Sequence, residues 1–495
     1  MNIKLRSKFN SGFNFQVNMT NLKKYFPTIL IFITLLIIYS HRLTSSFNFH
    51  PDFTRDIYDM LTIIQGKFSL IGPKSSFGGM YTGPYYYYLF MPIFYLTKLN
   101  VYSLLIFNLA LFLFALIFFN LHVAKKYGVL SASLSTLVIG LSPIYISASR
   151  GPWNASTYIP FLLVFLTLLY FNDFNNKKVG LLFLGLLGGI IATIHLVNIA
   201  VLLIVITHFF YTLKRKRNIL YFFIGLLLAF SPLIVFELKH NFIMFRNTFI
   251  VGSYKSFINN RNLFKNEGPD TLKSVAYIVQ NLSSQLGVNF LLLTFLFIGL
   301  WRNLKENKDR FFIISSALLT FVFILLSRYQ FVPFYLFPLS VLVLFTSSLT
   351  ILNTNYKWLL VIILLVEMYS FPGSIYTVAT RKPEQYERVV NFVLSNKILK
   401  KDRTFNVIEI SKDYGAKYPI GYGYRFFFRK YGHIPKSEFE YNTSDTLLIL
   451  SEARDVDILK LNSWEMNQFG KRYIQNRKLY EIGKTTLYVL SSVPR

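Results

Sequence analysis

The sequence predicts an all-α polytopic membrane protein of about eleven transmembrane helices, followed by a small C-terminal α/β soluble domain. Hydrophobic residues make up 53% of the 495 residues and aromatic residues 18%, and the mean hydropathy is +0.42. Soluble globular chains carry fewer apolar residues, so this composition is typical of a protein that lies in lipid. After position 371 the long apolar runs give way to short strand-like segments, which predicts the second domain.

Eleven apolar runs are candidate membrane crossings. A bilayer core of about 30 Å takes roughly 20 helical residues, and most of these runs approach that length. The runs cover 26–40, 101–122, 128–147, 155–171, 179–194, 196–213, 218–236, 287–301, 310–327, 332–352 and 357–371. The first run lacks a small-x-small cleavage site after it, so we expect a retained anchor within a transmembrane domain 26–371.

Basic clusters between the crossings indicate the orientation. If the crossings alternate, the clusters fall on one side, and cytoplasmic loops are the ones that carry excess Lys and Arg. We therefore expect residues 1–25 in the cytoplasm. The loops 41–100, 148–154 and 237–286 and the domain 372–495 are expected on the outer face of a plasma or inner membrane.

The segment 84–98 contains four consecutive tyrosines and is interpreted as lying along the outer interface. A crossing here would turn every later basic cluster outward, and its residues would reach only about 22 Å as a helix. Two roles for the tyrosines stay open, an interfacial aromatic belt or the lining of a groove for lipid or sugar.

Charge and cysteine content exclude several classes of function. The formal charge is +29, from 52 basic and 23 acidic residues. Because the basic residues form short clusters between apolar runs, they suit anionic lipid and membrane orientation, and no nucleic-acid partner is expected. The chain has no cysteine, which excludes disulfides, thiolate metal sites and thiol nucleophiles.

The C-terminal region 372–495 mixes helix-like and strand-like patterns. "PEQYERVVNFVLSNKIL" predicts a helix, and "FNVIEI", "TLLILSE" and "TTLYVLSS" predict strands. "GYGYRFFFRKYG" lies between them, and we do not interpret it as a nucleotide fingerprint because it is not expected within a βαβ unit.

Ionisable and polar residues recur at the predicted outer ends of the helices. Ionisable groups at membrane depth are costly and are functional candidates for that reason. The candidates are Asp52, Arg55, Asp56, Tyr81, Arg150, Asn154, His195, Glu237, Lys239, His240 and Arg328. Structural roles stay open, namely a core or capping role for His195, and helix-end anchoring for Arg150 and Arg328.

Carboxylates and cations on one face suit the transfer of a sugar from a lipid phosphate. The acceptor hydroxyl needs a general base, and the departing phosphate needs positive charge. Asp or Glu supplies the first and Arg, Lys or His the second. The planar fork of Arg pairs bidentately with phosphate oxygens.

Five segments in order resemble one enzyme group. They are "DFTRD" at 52–56, "QGKFSLIGPKSSFGGMYTGPYYYYLFMP", "SPIYISASRGPWNAS", "GLLGGIIATIHLVN" and "SPLIVFELKHNF". Their order and spacing over residues 26–370 resembles the bacterial and archaeal membrane glycosyltransferases of superfamily C (GT-C), similar in layout to protein O-mannosyltransferases and lipid A aminoarabinose transferases.

The resemblance implies an inverting transferase with a polyprenyl-phosphate sugar donor and a protein, glycan or lipid acceptor. It implies that Asp52 lies near the catalytic centre, and we expect Asp52 to be the base, with Asp56 as the second catalytic acid. The other nine candidates are expected to bind substrate.

The first outer loop departs from some relatives, which carry adjacent Asp and Glu where this chain has Asp52 and Phe53. Asp52 and Asp56 share a helix face, so they are either a base with a group that orients Arg55, or a metal pair. We favour no metal and no cofactor. The alternative is a purely structural role, in which Asp52 is the N-cap of the helix and Asp56 forms a salt bridge with Arg55.

The alternative function is a multi-pass transporter or flippase of lipid-linked saccharides. Transporters often show paired repeats with broken helices, and the sequence shows no such symmetry. A non-catalytic scaffold would need no clustered outer charges.

Overall fold

The computed structural model describes most of the chain. The described residues are 19–75, 79–172, 174, 177–213, 215–252, 271–287, 314–315, 318–319, 333–352, 355, 357–400, 402–412, 419–453, 457–470 and 474–492. The predicted crossings 287–301 and 310–327 fall almost wholly outside these ranges, and Arg328 lies outside them.

The first part of the chain is helical. Its helices are α1 (Met19–Ser40), α2 (Pro51–Ile64), α3 (Tyr85–Leu96), α4 (Val101–Tyr127), α5 (Val129–Leu141), α6 (Pro143–Ser149), α7 (Asn154–Phe171), α8 (Lys178–Ile194), α9 (Ile199–Thr212), α10 (Ile219–Lys239), α11 (Ile243–Phe245), α12 (Thr271–Leu286), α13 (Phe337–Leu352) and α14 (Leu359–Tyr369). Most of them coincide with predicted apolar runs.

Three helices of the described part are long and apolar enough to span a bilayer, namely Val101–Tyr127, Asn154–Phe171 and Lys216–Lys239. Counting α5 and α6 as one bent span gives a fourth. The shorter apolar helices are Tyr25–Ser40, Lys178–Ile194, Pro333–Leu349 and Leu359–Tyr369. The predicted mostly helical fold with apolar helices is confirmed, and the number of eleven crossings stays a prediction.

The predicted crossing 128–147 is a broken helix in the structure. Helices α5 and α6 meet at Ser142 with a bend of 67°. Pro143 follows the break; its ring disfavours the helical conformation in the preceding residue and it has no N–H to donate. The bend directs α6 and the residues after it, Arg150 to Trp153, toward the first outer loop.

Helices α8 and α10 are parallel and pack closely through glycines. A Cβ on Gly185 would lie 2.0 Å from the carbonyl oxygen of Phe222, and one on Gly225 would lie 2.1 Å from that of Leu182. Small residues let helix backbones approach in a membrane. The pair therefore holds its two C-terminal ends, at Ile194 and Lys239, at the same end of the bundle.

In α4 and α8 the basic residues Lys126 and Lys178 lie at one end, and the contacts with the C-terminal region and with Gly83 lie at the other. The Tyr102 hydroxyl at the start of α4 donates to Glu384 of the C-terminal region, whereas Lys126 lies about 36 Å along the same helix. Likewise Gly83 donates to the carbonyl of Thr193 at the end of α8, while Lys178 begins that helix. In these two helices the basic end is therefore separated from the end that meets Gly83 and the C-terminal region. The side of the membrane on which each end lies stays a prediction.

The C-terminal part contains a four-stranded sheet. Its elements are α15 (Pro383–Ser395), β1 (Phe405–Ile410), α16 (Tyr422–Lys430), β2 (Thr446–Ser451), α17 (Trp464–Phe469), β3 (Ile474–Ile482) and β4 (Thr485–Ser492). The strand order is β1-β2-β4-β3. Strands β1 and β2 are parallel, with Val407 opposite Leu448, and β4 is antiparallel to both β2 and β3. The predicted small sheet is confirmed.

One interpretation of this region was wrong. "GYGYRFFFRKYG" forms α16 between the parallel strands β1 and β2, so it does lie within a βαβ unit. It still lacks the glycine spacing of a phosphate loop. Its face carries Arg425, Phe426 and Arg429, which are buried, so the helix is a packing and docking element.

Helix α16 packs on α2 and joins the C-terminal domain to the first outer loop. Arg429 donates to Oγ1 of Thr62 (2.8 Å) and to Gln65, and it lies 5.3 Å from the ring centroid of Tyr58. The Phe94 ring of α3 stacks on Phe426 at 5.8 Å.

Two backbone hydrogen bonds extend the junction. The N–H of Phe49 donates to the carbonyl of Arg381 (3.0 Å), and the N–H of Ala379 donates to that of Ser45 (2.9 Å). Residues 45–65, which include α2, and the C-terminal domain therefore pack as one unit.

Candidate active site

Helix α2 presents its charged residues from its first turns. Pro51 begins the helix with a φ that suits its first position, and the Nδ1 atom of His50 accepts a hydrogen bond from the N–H of Asp52 (3.2 Å). Partial burial lowers the pKa of His50, and the neighbouring Asp52 opposes this shift. His50 is therefore the N-cap of α2, the role that the purely structural interpretation of the sequence gave to Asp52.

Arg55 joins two carboxylates on one face of α2. Its Nη1 atom lies 3.2 Å from Oδ1 of Asp52, and its Nε and Nη2 atoms lie 3.0 and 2.7 Å from Oδ1 of Asp56. The Asp52 side chain is 45% exposed, whereas the Asp56 side chain is fully buried. One guanidinium thus fixes an accessible carboxylate and an inaccessible one.

Asp56 holds an unusual electrostatic position. Burial raises its pKa to about 7, although the charge and hydrogen bonds of Arg55 favour the ionised form. Its Oδ2 atom has no hydrogen-bond partner among the described residues. Asp56 can therefore orient Arg55, while its burial removes it from direct contact with a bulky substrate.

The four consecutive tyrosines of α3 each bond a different part of the chain, which neither sequence-based role anticipates. Hydrogen bonds of this kind fix a helix to its neighbours. Tyr85 donates to Ala229 O (2.9 Å), Tyr86 to Pro152 O (2.5 Å), Tyr87 to Asp59 Oδ2 (2.8 Å) and Tyr88 to Ser69 O (2.9 Å). Helix α3 therefore ties α2, α10 and the loop before α7 together.

A cavity of about 300 Å³ opens beside the start of α2. Its lining includes Ser46, His50, Phe53, Arg150 and Trp153. The Nη1 atom of Arg150 donates to the carbonyl of Tyr39 (2.8 Å) and its Nη2 atom donates to Ser46. The cavity therefore holds a buried guanidinium in a fixed orientation, next to the histidine that contacts Asp52.

A row of aromatic rings leads from this cavity to His195. Trp153 lies 6.4 Å from His50 and 5.1 Å from Phe334, and Phe334 lies 5.9 Å from His195, all between ring centroids. The Nδ1 atom of His195 has no hydrogen-bond partner in the described part of the chain. His195 is thus connected to the cavity through two rings, but it does not line it.

The candidates at the end of α10 form a separate group. The Glu237 carboxylate accepts from the N–H groups of Met244 (2.9 Å) and Phe245 (3.0 Å), which caps the turn after α10. Lys239 and His240 are exposed. His240 stacks on Phe236 at 4.2 Å, and the Tyr81 ring lies 6.0 Å from the same phenylalanine.

The structure brings some candidates together and leaves others apart. Asp52, Arg55 and Asp56 form one cluster, and Arg150 faces the adjoining cavity. Asn154 begins α7 directly after Trp153. Tyr81, Glu237, Lys239 and His240 lie around the end of α10, without a recorded contact to the Asp52 cluster. Across the described ranges, no three His, Asp or Glu side chains converge as a metal site.

His50, Trp153 and Asp59 are site residues that the candidate set missed. The Pro51 signal for a helix start would have identified His50 as its N-cap. Asp59 follows Asp56 by three residues on the same helix face, which the same spacing rule would have shown. No local signal identifies Trp153, because its place in the site depends on packing against His50 and Phe334, which are distant in sequence.

Two solved structures resemble this chain over almost its whole length. ArnT from Cupriavidus metallidurans, a lipid A aminoarabinose transferase solved with undecaprenyl phosphate, gives a TM-score of 0.63 at 9% identity, covering 95% of this chain and 98% of that one. The Archaeoglobus fulgidus oligosaccharyltransferase tethered to an acceptor peptide gives 0.51 at 12% identity, covering 95% and 74%. No family model and no curated protein matches the sequence. At these identities the likeness shows that the chain shares the fold of these two proteins, which agrees with the predicted fold class.

Proposed function

We propose that the protein is a membrane glycosyltransferase that moves a sugar from a polyprenyl-phosphate donor to an acceptor hydroxyl on the outer face of the membrane. The observation that carries the proposal is the half-exposed Asp52, held by Arg55 beside a cavity that contains the buried Arg150. An accessible carboxylate and a fixed cation are the two groups that this reaction needs.

The fold supports the lipid-linked donor. The neighbour ArnT is bound to undecaprenyl phosphate, and the oligosaccharyltransferase neighbour is tethered to an acceptor peptide. Proteins of one fold can carry unrelated activities. The proposed function therefore depends on the residues of the site, and the shared fold adds support.

In the proposed reaction Asp52 removes the proton of the acceptor hydroxyl. The acceptor oxygen attacks the anomeric carbon of the sugar from the face opposite the phosphate, which inverts the configuration. The bond between the anomeric carbon and the phosphate oxygen breaks, and its electron pair leaves with the lipid phosphate. Arg150 stabilises the charge that accumulates on that phosphate.

Arg55 and Asp56 position the base. Because Asp56 binds two nitrogens of Arg55, the third guanidinium nitrogen points at Asp52 and fixes its rotamer. This arrangement agrees with an orienting role for Asp56. The guanidinium of Arg55 fills the space between the two carboxylates, where a shared metal ion would lie. We propose a reaction without a metal ion.

The remaining candidates are assigned to the donor. His195 lies next to Phe334 of the aromatic row, and Asn154 follows Trp153 in the chain; both would meet the sugar or its lipid. A second contact site for the lipid phosphate would lie at the end of α10, formed by Tyr81, Glu237, Lys239 and His240. We propose the same role for Arg328. The N-terminus is placed in the cytoplasm and the C-terminal domain outside, in a plasma or inner membrane.

The test is transfer of labelled sugar by purified protein in detergent, with polyprenyl-phosphate sugars as donors and cell-envelope extracts as acceptors. Mass spectrometry of lipid-linked sugars in cells with and without the gene would identify the accumulating donor. Absence of transfer with every donor, together with unchanged envelope glycans, would refute the proposal.

A specific observation favours the alternative, a flippase of lipid-linked saccharides. Helices α5 and α6 form a broken span, and broken helices are a feature of transporters. Reconstituted vesicles with a fluorescent lipid-linked saccharide distinguish the two. A transferase without flippase activity leaves the inner-leaflet label protected from an impermeant quencher.

A further inference from the structure

A second and larger cavity lies where the C-terminal domain meets α2. Its volume is about 790 Å³, within the usual range of small-molecule sites. One wall is formed by Tyr58, Asp59 and Thr62 of α2. The opposite walls are formed by residues 399–400 and 403–405, by α16 and by residues 432–440. We call it the junction cleft.

Cationic side chains outnumber acidic ones in the junction cleft. The cations on its lining are Lys67, Lys400, Arg403, Arg425, Arg429 and Lys436, and the acids are Asp59, Glu438 and Glu440. A concave site lined by one sign of charge concentrates the field and attracts ligands of the opposite sign.

The acids of the cleft already have partners. Asp59 accepts from Tyr87 (2.8 Å), and Glu438 pairs with Lys74 (3.0 Å) and accepts from Tyr422. The Glu440 carboxylate accepts from the N–H of Ser437 (3.1 Å). Hydrogen bonds from neutral groups leave the negative charge of Asp59 and Glu440 in place, but Glu438 is paired with a cation outside the lining, so the net charge of the lining stays positive.

The two buried arginines of α16 are compensated by neutral oxygens. Arg425 donates to the carbonyls of Ile420 (2.6 Å) and Lys436 (2.8 Å) and to Asn406, and Arg429 donates to Thr62 and Gln65. Their hydrogen bonds are satisfied, but these neutral partners leave their positive charge in place. The cleft consequently presents positive charge on its inner wall as well as at its rim.

Aromatic rings make part of the cleft suitable for sugar. Tyr58 and Tyr422 lie 5.8 Å apart between ring centroids, on opposite sides of the junction, and Phe439 also contributes to the lining. Aromatic faces provide apolar contact area at small entropic cost, and hydroxyls of tyrosine add hydrogen bonds.

The cleft is continuous with the proposed catalytic helix. Asp59 lies seven residues after Asp52 on the same face of α2, a rise of about 10 Å. A ligand bound in the junction cleft would have to extend along α2 by this distance to reach Asp52.

We propose that the junction cleft binds the acceptor and that the acceptor is an anionic saccharide, one that carries carboxylate or phosphate groups. The role of this ligand as an acceptor rests on the proposed transferase function, whereas the binding of an anionic saccharide does not.

The test measures binding without any donor. The probes are a uronic-acid trisaccharide, a phosphorylated neutral trisaccharide and the unmodified neutral trisaccharide, titrated into the full-length protein in nanodiscs. We expect both anionic probes to bind, more weakly at high salt because exposed charges are screened, and the neutral one to bind at least about tenfold more weakly. The two anionic arms show which acidic group is preferred.

The variant is the double change Lys400→Gln and Arg403→Gln on the domain side, and its matched control is Lys478→Gln with Lys484→Gln, which removes the same charge from the exposed β3–β4 hairpin. Because the double variant loses two charged hydrogen bonds to the ligand, we expect it to bind the anionic probes about tenfold or more weakly, and the control to bind them as the wild type does. Lys67→Gln tests the opposite wall if the double variant is unstable.

Equal binding of the neutral and anionic probes, or equal loss in the variant and its control, would overturn the proposal. The transfer assay is separate. Anionic binding without transfer would refute the transferase function alone, and transfer to a neutral acceptor with no anionic binding would refute the acceptor class alone.

Discussion

The hydroxyl of Tyr87 donates a hydrogen bond of 2.8 Å to Oδ2 of Asp59. This bond holds α2, which carries the proposed base, against α3, whose other tyrosines bond α10 and the loop before α7. The orientation of α2 therefore depends on a side chain outside the charged cluster.

Tyr87→Phe tests that dependence. The change leaves the partly buried Asp59 without its hydrogen-bond donor, which should lower the free energy of unfolding by about 1 to 3 kcal/mol. Because α2 also loses this bond to α3 and can shift, transfer should fall as well. Thermal unfolding of the purified protein and the transfer assay measure the two effects. Tyr88→Phe is the control. It removes two hydrogen bonds with the backbone of the half-buried Ser69, whose groups can bond water instead, so it should have the smaller effect.

Asp52→Asn tests the base. The amide keeps the shape and the hydrogen bond to the protein but cannot take a proton, so transfer should fall roughly 100- to 10,000-fold, with donor affinity little changed. Turnover near that of the wild-type protein would exclude Asp52 as the base.

Asp56→Asn separates an orienting role from a metal role. If Asp56 only orients Arg55, transfer should fall less than in Asp52→Asn, and EDTA should have no effect. Comparable losses in both variants, with inhibition by EDTA and recovery with a divalent ion, would show that the carboxylates share a metal.

Arg150→Gln tests the donor phosphate site. Loss of a charged hydrogen bond should weaken donor binding by about tenfold or more, seen as a rise in KM for the donor. Arg388→Gln, an exposed arginine of α15, is the matched control and should leave KM unchanged. If both variants keep the wild-type KM, Arg150 only anchors the loop.

Glu409 predicts the pH dependence of stability. Burial raises its pKa to about 7, although the hydrogen bond from Tyr386 and the nearby Arg381 favour the charged form. The unfolded carboxyl loses its proton near its ordinary pKa while the folded one retains it. This group therefore makes the protein less stable as the pH rises through the ordinary value to about 7, with no further change above that.

Glu409→Gln should remove this loss. The amide oxygen still accepts from Tyr386, so the variant should be more stable than the wild type at pH 8 by on the order of 2 kcal/mol, allowing for partial exposure, and equally stable near pH 4.5. Unfolding midpoints across pH measure the difference. Glu481→Gln on the exposed face of β3 makes the same chemical change and should leave the profile unaltered.

Cysteine labelling tests the orientation, because the chain has no native cysteine. Ser75→Cys and Ser437→Cys should react with an impermeant thiol reagent from outside, and Asn176→Cys should not. The ion pair between Lys74 and Glu438 (3.0 Å) requires the first two positions to lie on one side. Labelling of position 176 in intact cells would contradict the proposed topology.

Periodic and compositional signals carry much of the helical fold. The apolar runs predict most helix positions, since membrane helices need a fixed apolar length. The spacing of Asp52, Arg55 and Asp56 predicts a shared helix face, and the Arg55 clamp lies there. The start of α2 at Pro51 follows from local chemistry as well.

Other features depend on tertiary contacts that no local pattern encodes. A run of four tyrosines is chemically uniform, so the sequence gives no means to assign each hydroxyl its separate partner. The junction cleft needs residues of α2 and of α16, and Arg429 carries no local mark of its contact with Thr62. The bend at Ser142 is different, because Pro143 is a local signal for a helix break; it was missed because the apolar run continues through it.

The bond between Gln65 and Arg429 joins residues 364 positions apart, and this has a consequence for the order of synthesis. A ribosome completes α2 long before it makes α16, so the face of α2 that α16 covers is without its partner while most of the membrane helices are inserted. The proposed catalytic helix would then reach its final environment only near the end of translation. Premature termination before residue 422 should therefore yield a membrane-inserted but inactive product, even though every residue of the Asp52 cluster is present.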